Sequence, residues 1–465
     1  MKKLLAIALA AGICLTAFTG CSGGKNTPDP SQTQAATTAA ATASAGESSA
    51  SGETAPQTTV EVPALPDGPV KLTMMGGAQL TSVCEIVLKD YFAKHPNVTV
   101  TFEKYAFAEY PTKMRLQLST GVPTPDVLLV HDQFISQFVS SGWLMDLTGM
   151  IPQDQVLPVL SSASQNGRYY GIPNQVTIPY VFMYRKDVYD KLGLTEPKTY
   201  DEYFNQALVL KQNGYYAGAM LPSSPSEQFN WYMNMLGGYM YDKDGNCVME
   251  KGVDAIKLLQ KGLDAGIFHP SAQGGSDQYW AAFNNGLIAA FPAVASQAAY
   301  YETKVDPAGK GGFGSLKVAP AMKFSPDGPN TYINNTEYYA INKNTKNEQA
   351  AKHLIAYLGL SEEACLKFSN VDENGIMAKY ATGYLPGIKA IVDNGTAGWK
   401  AFGGQEVVTD LCKILLENKP GIVKRDKRDT EATAIITQIL GETFTKKNRT
   451  PEQAIEEIIQ KINKI

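Results

Sequence analysis

Histidine is scarce in this 465-residue chain: four in all, at positions 95, 131, 269 and 353, too few and too scattered for a histidine-based metal receptor. Cysteine is scarce as well. There are six, with no Cys-x-x-Cys pair and no zinc-ligand spacing, so neither a structural zinc nor a dithiol redox motif is written in the sequence. His-Glu-x-x-His, Gly-x-Ser-x-Gly and phosphate-loop motifs are missing, which removes the enzyme classes that announce themselves locally. Charged residues make up only 18%, with 41 Lys+Arg against 45 Asp+Glu and a net charge of -4, so no nucleic-acid partner is indicated. Two local patterns look functional and fail on inspection. Gly311-Gly312-Phe313-Gly314 has no Lys-Ser/Thr after it, and Asp242-Lys243-Asp244-Gly245-Asn246 has glycine too early for a calcium loop and Val253 where a carboxylate is needed, so it reads as a hairpin turn.

What is present begins with Lys2 and Lys3, an apolar run from Leu4 to Phe18, and Phe18-Thr19-Gly20-Cys21. The run is shorter than the roughly 20 residues of a spanning helix and ends on small residues, so residues 1–20 read as an export signal. Cys after Thr-Gly resembles the bacterial lipobox, with Phe18 where Leu is usual, which implies acylation at Cys21 and a lipid anchor on the outer face of the cell membrane. An ordinary signal peptide with an incidental Cys is the alternative, and the composition after Cys21 argues against it. Ser22 to Thr59 contains no aromatic residue and no Leu, Ile, Met or Val, so it has too little apolar surface to offset ordering entropy. Residues 21–65 are therefore read as a lipidated Cys and a tether. Of the remaining thiols, Cys84, Cys247, Cys365 and Cys412 are widely spaced; disulfides and buried free thiols are both open to them.

The body, some 400 residues, is long enough for two domains. Val70 to Met74 reads as a strand, and Leu80, Val83, Cys84, Val87, Leu88, Tyr91 and Phe92 fall on one helical face. Alternation at Val98, Val100 and Phe102 gives a second strand, and Asp126 to Val130 a buried third, the order expected of a parallel α/β sheet. A similar pattern restarts at Val181 to Tyr184. Capping boxes are expected at Thr199/Glu202, at Thr345/Glu348 and at Thr450/Gln453, the last with Pro451 at the first helical position. The run Lys424-Arg425-Asp426-Lys427-Arg428-Asp429 alternates in sign, as a solvated helix face does.

Several strings, in order, are similar to the extracellular solute-binding proteins of the sugar type, the group containing maltose-binding protein. They are Phe92 to Val98, Pro125-Asp126-Val127, Ser141-Gly142-Trp143-Leu144 with Asp146-Leu147-Thr148, Asn166 to Pro173 followed by Phe182 to Asp187, Pro197 to Glu202, Phe283 to Ala290, and Asn347 to Leu358. Arg185 stands where the family usually has Asn. The resemblance implies an α/β fold of two lobes with a cleft between them, each lobe a mostly parallel sheet flanked by helices. It implies lobe I from 66–175 plus 336–375 and lobe II from 176–335 plus 376–465. It further implies hinge closure on a small-molecule carbohydrate, delivery to the permease subunits of an ABC importer, no cofactor, no catalysis and a monomeric state. A non-sugar solute on the same fold, a sensor's receptor and a surface glycosidase are the competing readings.

Sugars need aromatic faces and paired hydrogen-bonding side chains, and loops at the carboxyl ends of parallel strands face the crevice. These rules select Gly77 and Gln79 after the first strand and His131, Asp132 and Gln133 after the third. The crossings implied by the resemblance add Gln175, Asn334, Asn335 and Glu337, and the second lobe offers Glu227, Trp231, Trp280, Ser296 and Trp399. Each has a structural alternative: Asp132 as a helix cap, Asn334-Asn335 as a turn, Trp231 and Trp399 as core residues.

Overall fold

The computed structural model describes residues 62–121, 125–177, 180–242, 244–270, 274–326, 328–333, 335–373, 376–377, 381–418, 420–423, 425–426 and 428–465. Cys21, expected to be lipidated, residues 22–61 of the expected tether and Asn334 lie outside them. Contacts divide the chain into Met1–Pro56 and Gln57–Ile465, and every element of the fold belongs to the second unit.

Six strands form the first sheet, in the order Ala381–Thr382, Ile172–Thr177, Asn335–Ile341, Val127–His131, Val70–Gly77, Val98–Tyr105. Val70–Gly77 pairs in parallel with both Val98–Tyr105 and Val127–His131. Their connections are helical: Ala78–Val87 followed by Lys89–Lys94, two helices broken at Leu88 where the apolar spacing predicts one through Phe92, and Tyr110–Ser119. Strand alternation sorts side chains between two cores: Val127 and Leu129 pack with Leu72 and Met74, while Leu128 and Val130 pack with Met75 and Phe138 on the other face. Gly76 permits this close packing, since a Cβ there would lie 2.6 Å from that of Leu129. Asn335–Ile341 runs antiparallel to Val127–His131, so its beginning lies at the carboxyl edge and Glu337 is paired with His131.

The second sheet has three strands, Ala290–Val294, Tyr180–Arg185 and Leu316–Pro320, and every pairing is antiparallel. The expectation of a mostly parallel sheet in each lobe therefore holds for the first three strands of the first sheet and not for the second sheet. An unbroken apolar run reports burial on both faces rather than strand direction. Here Phe182 and Tyr180 enter one core while Val181 and Met183 enter another.

The chain changes sheet between Thr177 and Tyr180, and again between Ile333 and Asn335; Tyr332–Ile333 also pairs in parallel with Gly421–Ile422. Helix ends match the sequence in part. Thr450 and Gln453 form a full capping box, and Thr199 caps its helix, with Glu202 reaching Lys198 N–H at 2.6 Å. The box expected at Thr345/Glu348 does not form. The helix opens at Glu348 with Asn347 at its N-cap, so Thr345 and Glu348 do not stand three apart across a cap; Thr345 Oγ1 instead accepts from Asn347 N–H and donates to the Asp126 carboxylate.

Arg185 has a defined place. Its guanidinium is buried, donates to Lys310 C=O at 2.7 Å and pairs with Asp187 at 2.6 Å. A Cβ on Gly312 would lie 2.6 Å from Arg185 Nε, so the glycine run that superficially suggests a phosphate loop makes room for the protein's own cation. Cys84, Cys247, Cys365 and Cys412 are buried free thiols. Among the described residues no helix is long and apolar enough to cross a membrane.

Candidate solute-binding cleft

The carboxyl edge of the first sheet gathers His131, Asp132, Gln133, Glu337 and Gly77. His131 ends its strand and Asp132 opens the helix Asp132–Ser140, so neither can leave the edge without breaking both elements. His131 N–H donates to Tyr110 Oη at 3.2 Å. The imidazole Nδ1 lies 2.9 Å from Asp132 Oδ1 and 3.2 Å from Gln133 N–H. One nitrogen cannot donate to the first and accept from the second, so its proton decides which contact exists. Burial works against the charged imidazole, but Asp132 and Glu337 outweigh it and raise the His131 pKa, which favours the proton toward Asp132.

Asp132 also accepts from Arg425 Nε at 3.2 Å, and Asp429 lies 3.7 Å from the same guanidinium. Burial opposes the charge on Asp132, yet Arg425 and His131 together hold its carboxyl below the ordinary range. Glu337 has no such cation in contact, and burial pushes it up to about 7 despite His131, with Asp132 adding to the rise. Asp429 is likewise pushed up by burial, to about 6, although Arg425 pulls the other way.

Arg425 corrects the reading of the alternating run as a solvated helix face. The helix starts only at Asp429, and Arg425 and Arg428 sit in the preceding loop with their side chains 15% and 16% exposed. Sign alternation along a chain is the same whether the charges meet water or one another.

The opposite wall is built on the helix Ser226–Met235. Glu227 and Trp231, four residues apart, line an open pocket of ≈ 630 Å³, solvent space included, with Tyr180, Tyr232, Phe268, Tyr279, Phe291 and Gln297. Trp231 is buried against Tyr180 at 5.2 Å and Phe324 at 5.3 Å between ring centroids, so its core role and its place in the pocket wall coexist. Glu227 remains open to water in the concavity, while surrounding protein displaces enough of it to raise the carboxyl's pKa. On the other flank of this helix a second cavity of ≈ 550 Å³ is lined by Gln133, Asn230, Asn234, Tyr239, Tyr332, Arg425 and Asp429.

The remaining candidates are spread more widely. Gln79 is exposed on the helix after the first strand. Ser296 lies in the short turn Ala295–Gln297, between the pocket residues Val294 and Gln297. Gln175 and Asn335 sit in paired strands, Asn335 opposite Thr177, so Asn335 is not part of a turn. Trp280 packs on Tyr301 and Phe283, and its neighbour Tyr279 is the pocket residue. Trp399 is buried beside Phe402 in the core that also takes Val181 and Met183, and it lines neither cavity. Sequence reasoning passed over Phe107, which is 53% exposed and faces His131 at 5.4 Å and Tyr110 at 5.7 Å. The signal was available, because Phe107 follows the strand Val98–Tyr105 and the carboxyl-edge rule applies to that loop too.

Among the described residues no group of three or more His, Cys, Asp or Glu could hold a metal ion. Two concavities flank the helix Ser226–Met235: one lined by aromatic faces with Glu227, Gln228 and Gln297, the other by Gln133, Arg425 and Asp429.

Residues 77–364 match the family model described as bacterial extracellular solute-binding protein, and the chain belongs to that family. An uncharacterized ABC transporter extracellular-binding protein of Pyrococcus horikoshii is 31% identical over 162 residues, 33% of this chain and 38% of that protein. The match thus spans well under half of the relative's length. Among solved structures, a sugar transporter of Rhizobium etli in an open conformation is similar with a TM-score of 0.69 at 16% identity, covering 85% of this chain and 99% of that one. An ABC substrate-binding protein of Listeria monocytogenes in complex with cycloalternan gives 0.65 at 18%, covering 85% and 98%. Maltose-bound MalE3 of T. maritima gives 0.62 at 20%, covering 84% and 99%. These likenesses establish the two-lobed fold of periplasmic binding proteins.

Proposed function

We propose that the chain captures a carbohydrate, a sugar or oligosaccharide, between its lobes by hinge closure and presents it to the permease of an ABC importer. The observation that carries the reading is the wall formed by Trp231, Tyr279 and Phe291 beside Glu227, Gln228 and Gln297. Aromatic rings take the apolar C–H face of a sugar ring, and carboxylate and amide groups take its hydroxyls. Phe107, Gln133 and Glu337 supply the facing contacts. Maltose and cycloalternan in the related structures support this solute class. On this reading the lobes divide near residues 175 and 335, and the two changes of sheet support those divisions.

The solute is bound and released unaltered, by a monomer held at the outer face of the membrane through acylated Cys21. A thermal-shift screen of the purified chain against mono- and oligosaccharides tests the capture step. A solute at about a hundred times its Kd adds about 2.7 kcal/mol to stability. Stabilisation by a peptide or polyamine and by no carbohydrate, or turnover of a glycan, overturns the assignment. Release of the protein from membranes by Cys21→Ser tests the anchor.

A further inference from the structure

We infer that Arg425 is a positioning residue of this cleft, and that its bond to Asp132 sets the resting angle between the lobes before any solute arrives. The inference rests on the hinge part of the reading above and not on the identity of the solute.

The two partners are anchored in different bodies. Asp132 opens a helix whose Ile135, Phe138 and Val139 are packed against the first sheet. Arg425 lies three residues beyond Ile422, whose strand pairs with Tyr332–Ile333 at the crossing between sheets. Just after it, Arg428 donates to Gly245 C=O and covers the Tyr241 ring at 4.8 Å, and Asp429 opens the helix that buries Ala432 and Ile436 in the second lobe's core. A 3.2 Å contact thus joins a helix of one lobe to a tied-down segment of the other, beside the crossing strands, where a small change in spacing becomes a large change in opening.

Burial makes the contact consequential. Asp132 is 4% exposed and the Arg425 side chain 15%, so separating them leaves a charge poorly solvated on each side unless water or solute replaces it. Arg425 engages Oδ2, and Oδ1 lies 2.9 Å from His131 Nδ1, which bonds to it when that nitrogen carries the proton. Buried at 4% exposure and bonded to Arg425, Asp132 holds the lobes in this proposal, with Glu337 and Gln133 as the polar groups beside it.

The test measures lobe separation in the ligand-free chain. Leu116, 67% exposed on the first lobe, and Asp254, exposed on the second, are replaced by Cys and spin-labelled in a background carrying Cys14→Ser and Cys21→Ser; Cys84, Cys247, Cys365 and Cys412 are buried and do not compete. Pulsed dipolar distances are then compared for the parent, Arg425→Gln and Arg425→Lys, each checked for a cooperative thermal transition. Arg425→Gln should lengthen or broaden the distance distribution, and Arg425→Lys should restore much of the parent distribution, a rescue that a purely packing role would not give. A folded Arg425→Gln chain with the parent distribution overturns the inference. If Arg425→Gln does not fold, Asp132→Asn is read by the same criterion. No solute enters the experiment, so its failure leaves the carbohydrate reading standing, and a failed carbohydrate screen leaves this result standing.

Discussion

The two walls of the cleft use polar groups in opposite ways. At the carboxyl edge of the first sheet, His131 and Asp132 are buried and bonded within the protein, with Arg425 brought in from the C-terminal segment. On the second wall Trp231 is buried among rings, and Glu227, the acid beside it, stays open to water. Charge that is satisfied internally shapes the protein; charge left beside aromatic faces is available to a solute. A wall's composition alone does not distinguish these cases, and its hydrogen bonds do.

Substitutions on each side should separate the two uses, and the largest effect is expected at Asp132. Asp132→Ala removes the buried carboxylate from Arg425 and His131 and should cost about 3–5 kcal/mol in urea denaturation; a loss below about 1 kcal/mol would mean that this carboxylate does not hold the wall together. Trp231→Phe should cost about 1–2 kcal/mol, because the indole Nε1 is buried with no partner among the described residues and only volume is lost. The same change should weaken solute binding in calorimetry.

Glu337→Gln probes charge more gently. Its carboxyl is raised from 4.5 to about 7, so the folded chain holds a proton that the unfolded chain releases, and stability declines as pH rises through that window. The raised His131 pKa acts in the same direction: its contribution is full below 6.5 and is lost as pH rises through the folded value. Melting temperatures from about pH 5 to about pH 8 should fall for the parent and fall less steeply for Glu337→Gln; an unchanged slope would place Glu337 outside the coupling. Smallest in stability is Glu227→Gln, within about 0.5 kcal/mol, since water reaches that group. Solute affinity should nevertheless drop, and an unaffected affinity would remove Glu227 from the second wall's function.

The first three strands and their helices were legible because their apolar residues follow the periods of strand and helix, as Leu80 to Phe92 and Val98 to Phe102 show. Strand direction in the second sheet was not, because Tyr180 to Met183 are buried on both faces and such a run looks alike in either direction. His131 and Asp132 were selected by a rule about strand ends and Glu337 by the crossing that the family resemblance implies, and the strand-end rule extended by one loop reaches Phe107. Arg425 escaped because its partner is 293 residues away, and no local pattern encodes a contact at that range. Trp399 shows the converse: a Trp flanked by glycine looks exposed, yet its backbone turns back to Gln405 and the ring goes inward.

The parallel pairing of Tyr332–Ile333 with Gly421–Ile422 gives the linkage between the lobes the mechanics of a strap rather than a thread. Two strands held side by side flex readily perpendicular to their plane and resist shearing within it, so the hinge closure proposed above would be channelled into a swing about one axis. On that proposal each closing stroke would bring the same side chains face to face, and selectivity among solutes would be settled by alignment built into the linkage before any contact is made.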